Sequence, residues 1–255
     1  MAEGFISSYP AKMPLKLNLC LKSPELAAIL ATLFFGASVV ATKAVVEETG
    51  AIHLAFMRYG VGTLCIVLIA LLTKSPKIAP NDFKASIALG ALAFAIFPWL
   101  FSQSLVFIPA SFGAIILATI PIFTLAIGSL MKAENFSPKK TVGTGMAFFG
   151  VAIAMLSQTG VGEVSTFTLS LGSALMFVAS VSGAAYNALS QPILQRNDAV
   201  SFTALCMASG AIILVPFSVY QLTFFGVPDL VSEDLLSILF LGTFGGGIGF
   251  YLWIW

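Results

Sequence analysis

ASIALGALAFAIFPWLFSQSLVFIPASFGAIILATIPIFTLAIGSLM, residues 85–131, contains no Asp, Glu, Lys or Arg. A helix crossing the hydrocarbon of a bilayer needs about 20 mostly apolar residues. The stretch is too long for one crossing and long enough for two. Ile108-Pro109 marks the fold-back point, because proline lacks an N–H, holds φ near the helical value and is tolerated in a first turn. The stretch therefore reads as a hairpin of two spanning helices, 83–107 and 109–131.

Outward from this hairpin, charged residues cut the chain into further apolar windows. With edges allowed to slip by a few residues, they predict helices at 24–45, 52–73, 139–157, 168–191, 200–220 and 235–255, eight in all with the hairpin. The composition agrees: 58% of the 255 residues are hydrophobic and only 9% are charged, against about 25% charged in ordinary globular domains. With a mean hydropathy of +1.01, the surface itself must be apolar. A water-soluble enzyme, a disordered regulator and a basic nucleic-acid binder are excluded. Cys20, Cys65 and Cys206 are odd in number and make no disulfide framework. Seven further apolar runs follow the first, so a cleaved signal peptide is not expected, and no apolar stretch precedes Leu17-Asn18-Leu19-Cys20, so neither is a lipoprotein cysteine at Cys20.

Lys and Arg loops mark the cytoplasmic side of a bilayer. With the N-terminus inside, that side holds Lys12, Lys16, Lys22, Lys74, Lys77, Lys84, Lys132, Lys139, Lys140 and Arg196. The opposite loops hold Glu47, Glu48, Glu163, Asp229, Glu233 and Asp234. The expected location is a bacterial inner (plasma) membrane, crossed many times, with a cytoplasmic N-terminal tail over 1–23.

Two predicted helices resemble each other. Leu89-Gly90-Ala91 through Phe97-Pro98-Trp99-Leu100-Phe101 aligns without a gap on Leu241-Gly242-Thr243 through Gly249-Phe250-Tyr251-Leu252-Trp253. Phe35-Gly36-Ala37-Ser38 and Ser182-Gly183-Ala184-Ala185 form a weaker pair. The repeating unit is then five helices, and an odd-numbered unit re-enters from the opposite side. Inverted repeats of this kind belong to secondary transporters, whose substrate site lies near the midplane between the repeats. The expected architecture is an all-α integral membrane protein of inverted-topology five-helix repeats. Eight helices of an expected ten are present, the second unit stopping about 50 residues short by the repeat length.

The order of several motifs resembles the drug/metabolite transporter superfamily, in its EamA-type ten-helix family. Phe35-Gly36 followed by Lys43 stands where the family usually has Trp-Gly and a later cation. Arg58 matches the early arginine of the second helix. Pro121 after Ala110-Ser111 matches the fourth helix, and Ala133-Glu134 its end. Gly143 and Gly150 match the fifth helix. In the second unit Ser182-Gly183 replaces the usual Trp-Ala, while Tyr186 fits. The resemblance divides the chain into a first EamA-like repeat, 24–157, and an incomplete second, 168–255. It implies a ten-helix secondary carrier, commonly an exporter of amino acids or other small metabolites.

Candidate site residues are the polar groups in otherwise apolar spans. Arg58 lies about two turns into its helix, roughly 9 Å deep. Together with Lys43 it could attract an anion, such as a substrate carboxylate, or lock a gate. Alternatively, Arg58 pairs with Glu47 or Glu48, and Lys43 snorkels to the interface. Trp99, Gln103, Tyr186, Asn187 and Trp253 are the expected substrate contacts, an aromatic cavity with two amides. Interfacial belts also use Trp and Tyr. Pro98 and Pro121 are expected hinges. The sole histidine, His53, reads as a solvated interfacial side chain. The close glycines Gly242, Gly245, Gly246, Gly247 and Gly249 read as helix packing surfaces.

Apart from Glu25 at the very start of the first, no Asp or Glu lies within the eight predicted spans, which disfavours a cationic substrate and favours a neutral or zwitterionic metabolite such as an amino acid, exported by alternating access. An intramembrane enzyme would need paired carboxylates, Ser-His or metal-binding histidines. No catalytic residue, metal or cofactor is expected, and no nucleic acid. The expected partners are the lipid bilayer and a small-molecule substrate, with a homodimer allowed by the sequence but not required. A non-transporting truncated protein or scaffold is the alternative reading.

Overall fold

The computed structural model describes residues 24–131 and 166–254, with 142–143, 145–146, 149–150 and 153 between them. The predicted tail 1–23 lies outside the described residues, as does most of the predicted helix 139–157. Among the described residues all regular structure is helical, and seven helices are long and apolar enough to cross a membrane. They are α1 (Pro24–Thr49), α2 (Ala51–Leu72), α3 (Pro80–Phe107), α4 (Ala110–Leu130), α5 (Thr166–Leu194), α6 (Ala199–Phe225) and α7 (Ser232–Ile254). Seven of the eight predicted spans are thus described, the eighth, 139–157, lying mostly outside the described residues.

The boundaries follow local chemistry. Gly50 turns α1 into α2 with φ at +75°, and the Gln221 side chain lies where a Cβ would stand. Only glycine satisfies both conditions. Asp198 caps α6, its carboxylate accepting from the Ser201 N–H at 2.9 Å. Gly226, at φ +87°, ends the same helix. Pro80 opens α3 in its first turn. That start is three residues earlier than expected and draws Asp82 into the helix; Glu47 and Glu48 likewise fall in the last turn of α1 and Glu233 and Asp234 in the first turn of α7, correcting the expectation that carboxylates stay outside the spans. An acid in a first turn faces the positive end of the helix dipole.

Proline also interrupts two spans. Pro121 cannot bond to the carbonyl four residues back, and α4 breaks into Ala110–Leu117 and Ile120–Leu130. In α3, a π turn over Leu92–Ile96 precedes Pro98, with the Phe97 N–H reaching Leu92 O. A second π segment, Thr243–Ile248, interrupts α7. The ungapped alignment of 89–101 with 241–253 carries 92–96 onto 244–248, so the two irregularities fall at matching positions.

Lipid tails give apolar helices no hydrophobic reason to associate, so close backbone approach matters. α2 crosses α7 at Gly62 and Gly246, where a Cβ on Gly246 would lie 3.3 Å from Gly62 Cα. α3 crosses α6 at Gly90 and Gly210, where a Cβ on Gly210 would lie 2.9 Å from Gly90 O. The glycines of α7 are therefore packing surfaces, as their spacing predicts. Between these crossings an aromatic core joins Tyr59, Phe94, Tyr186, Phe202 and Phe250. Leu64, Leu130 and Phe224 point outward and are at least 69% exposed, as lipid-facing side chains are. α4 is the least buried span and rests chiefly on α5.

Candidate functional site

Three polar features stand out from this apolar bundle. The first lies about two turns into α2. Arg58 is buried, 8% exposed, and its Nη2 donates to Gly245 O at 3.2 Å, within the π segment of α7. Its guanidinium lies 5.3 Å from the centre of the Tyr59 ring, a cation–π distance. Its Nε has no hydrogen-bond partner, nor has the buried hydroxyl of Thr42 on α1. Ser38, one turn from Thr42, sits against Gly245, and the Arg58 guanidinium would be 3.4 Å from a Cβ there. Among the described residues no carboxylate pairs with Arg58. The alternative of a pair with Glu47 is not met, because Glu47 binds Lys43 at 2.8 Å. A buried guanidinium held only by a carbonyl and a ring retains uncompensated positive charge, which is costly in a membrane and suited to an anion.

The π segment of α3 is held in a related manner. Ser182 on α5 donates its hydroxyl to Leu92 O at 3.0 Å. Each irregular turn is thus gripped by a side chain from the other half of the chain, Arg58 for α7 and Ser182 for α3.

A second feature is a cavity of about 500 Å³ at the end of the bundle where α1 meets α2. Its lining includes Glu47, Glu48, Gln103, Tyr220 and Gln221. Gln221 on α6 closes one wall, donating to Thr49 O at 3.1 Å and accepting from the His53 N–H at 3.2 Å. His53 Nδ1 and the Ser218 hydroxyl share a hydrogen bond of 2.6 Å. This corrects the reading of His53 as a solvated side chain: it is 9% exposed because α6 packs over the first turn of α2.

The third feature is at the opposite, lysine-bearing end. Asp82 accepts from Arg196 Nη2 at 2.8 Å and from Asn197 Nδ2 at 2.7 Å. Asn197 Oδ1 in turn accepts from the Ala79 N–H at 2.9 Å, so the turn between α5 and α6 is tied to the start of α3.

The structure distributes the expected site residues among these features and the surface. Gln103 lines the cavity. Tyr186 packs against Phe94 and Phe202, with ring centres 5.7 and 6.3 Å apart. Asn187, the next residue on α5, is half-buried. Trp99 and Trp253 are 40% and 53% exposed, and Trp253 edges onto Phe35. Pro98 is buried after its π turn, and Pro121 is exposed after the break in α4. Gln221, Thr42 and the Asp82 cluster carry no site expectation from the sequence, and Ser38 and Ser182 enter there only as parts of the repeat and family motifs. Gln221 carried one signal, an amide in the last turns of an apolar helix.

Comparison with known proteins agrees with this architecture. The model of the EamA-like transporter family matches residues 22–156 and 170–255. An uncharacterized transporter of Archaeoglobus fulgidus is 25% identical over 230 residues, covering 88% of this chain and 76% of its own length. A probable amino-acid metabolite efflux pump of Salmonella typhimurium is 22% identical, covering 89% of this chain and 75% of its own. A protein of known crystal structure shares the fold at a TM-score of 0.68 and 17% identity, covering 91% of this chain and 77% of that one. Family and spans lead to one conclusion: the chain is an integral multi-pass membrane protein of the EamA-like transporter family, a transporter and not an enzyme.

Proposed function

We propose that the chain exports a small zwitterionic metabolite, an amino acid or close derivative, by alternating access, with Arg58 receiving the substrate carboxylate. The observation that carries this reading is the buried guanidinium with a free Nε and no carboxylate partner among the described residues. It lies beside the π segment of α7, and irregular backbone at mid-depth is where transporters of this general architecture bind substrate. Gln103, which lines the cavity, and Tyr186 and Asn187 on α5 are the further contacts. Lys43 shapes the approach, with its ammonium shared with Glu47. Pro98 and Pro121 serve as hinges. Trp99 and Trp253, exposed as they are, belong to the lipid boundary in this conformation. The name of the Salmonella relative, which refers to amino-acid metabolites, supports the substrate class.

The same reading includes two inverted repeats, 24–157 and 168–255, and eight spans with the helix at 139–157. The matching π segments and the reciprocal glycine crossings support it. The lysine-bearing end is cytoplasmic, in a bacterial inner membrane, by the distribution of Lys and Arg. The open cavity at the acidic end supports reading this as an outward-facing state.

Counterflow of radiolabelled amino acids in proteoliposomes tests the proposal. Arg58→Ala should lower flux at least tenfold, while Arg58→Lys should retain part of it. The loss should be specific to the carboxylate, so that flux of the matching decarboxylated amine falls less. Unchanged amino-acid flux in Arg58→Ala would sink the assignment.

A further inference from the structure

The register that aligns α3 with α7 extends to their first turns. It carries the cap residue Ala79 onto Val231 and Asp82 onto Asp234. The turns that lead into α2 and α6 correspond as well: Glu48 stands two residues before Gly50, the cap of α2, and Arg196 two residues before Asp198, the cap of α6. At the lysine-bearing end this places a base opposite an acid, Arg196 against Asp82. At the other end it places two acids, Glu48 and Asp234. Asp234 there accepts from its own Val231 N–H at 3.1 Å.

We propose that Asp82, Arg196 and Asn197 form a one-sided gate that holds the cytoplasmic end shut in the state seen here. The proposal rests on the alternating-access reading above. Its residues join the two halves of the chain, α3 from the first and the α5–α6 turn from the second, which must separate for the bundle to open inward. Beneath the gate the seam between α3 and α6 is closed. The Cys206 thiol lies 3.2 Å from Ser86 O, and a Cβ on Gly90 would run into the backbone of Cys206. The opposite end, with acids at both equivalent positions and no ion pair between them, is where the cavity stands open.

The gate is also built to release. The Arg196 side chain is 61% exposed and that of Asp82 only 10%, so the arginine can leave into water while the acid stays at the start of α3. An ion pair at an aqueous edge holds weakly on its own. The Asn197 amide, bonded to Asp82, to Ala79 N–H and to Ile193 O, supplies the geometry. A substrate seated at mid-depth need then overcome only a modest attraction to open the seam.

Cys206, wholly buried and about 12 Å inside the cap of α6 at 1.5 Å per residue, is a native reporter of that seam. In a C20S/C65S background, its reaction with a small membrane-impermeant methanethiosulfonate is followed in inside-out and right-side-out vesicles. Arg196→Gln should raise the rate about tenfold from the cytoplasmic face only, and D82N should do the same. The swap D82R/R196D should bring the rate back toward that of the parent. Flat rates in both single variants, or an equal rise from both faces, would overturn the gate. If D82N fails to fold, Arg196→Gln carries the test, since the exposed arginine leaves the start of α3 intact. The labelling needs no substrate, so a chain that exports no amino acid would still show the rise, whereas a static brace would show flat rates with export intact.

Discussion

At the lysine-bearing end of the bundle, the start of α3 and the α5–α6 turn are drawn together by an ion pair and two amide hydrogen bonds. At the acidic end, the corresponding positions hold Glu48 and Asp234, and α6 is tied to the α1–α2 turn by the neutral Gln221 and His53 contacts beside a cavity of about 500 Å³. Between the two ends lie two close glycine crossings and two π segments that fall at matching positions of the 89–101 and 241–253 alignment. Side-chain charge makes the two ends different. A carrier built from two similar halves would have no preferred state unless its ends differed, and a single change of sign between Glu48 and Arg196 supplies such a difference.

Three changes would break or sharpen that comparison. The largest effect is expected at the crossing that both ends share. Gly210→Leu would push a side chain into Phe94 and the Gly90 carbonyl, backbone atoms that cannot move aside. A cost of about 3 kcal/mol is expected, read as a fall in thermal stability in detergent, and both ends should loosen together. A variant as stable as the parent would mean that α3 and α6 do not cross here.

A smaller, one-sided effect is expected from Gln221→Leu. It removes the bonds to Thr49 O and His53 N–H and leaves those backbone groups without their side-chain partner. About 1–2 kcal/mol should be lost, with hydrogen exchange rising in the α1–α2 turn and Cys206 labelling from the other face unchanged. If the labelling rises too, the ends are not independent. The smallest effect belongs to Lys43→Ala. Its pair with Glu47 is within one helix and partly exposed, worth about 0.3–0.5 kcal/mol. Stability should shift by no more than that, and a large loss of flux would promote Lys43 from the approach to the binding site itself.

The spans were legible because their signal is local. Charges at Lys74, Lys77, Lys84 and Asp198 interrupt the apolar runs wherever the backbone meets water, and the described helices end within a few residues of those marks. The glycines of α7 were legible for the same reason, since small residues four apart share a face. Helix ends were misjudged where polar residues join an apolar helix as its first turn. Hydropathy alone sets Asp82 outside α3, while the helix dipole and Arg196 make a carboxylate welcome in its first turn. His53 was read as solvated because nothing near it in sequence covers it. The residues that do, Ser218 and Gln221, are on α6.

Sequence by itself determined that this chain crosses a bilayer many times, which ends carry the positive loops, and the family to which its motifs point, because hydropathy and charge act residue by residue. Only the tertiary structure decided that Arg58 would face Gly245 rather than Glu47, that Gln103 would open on a cavity while Trp99 faced outward, and that Asp82 would meet Arg196. Those outcomes depend on which helices approach closely, through Gly62 with Gly246 and Gly90 with Gly210. Such contacts join residues far apart in the chain, and no local pattern encodes them.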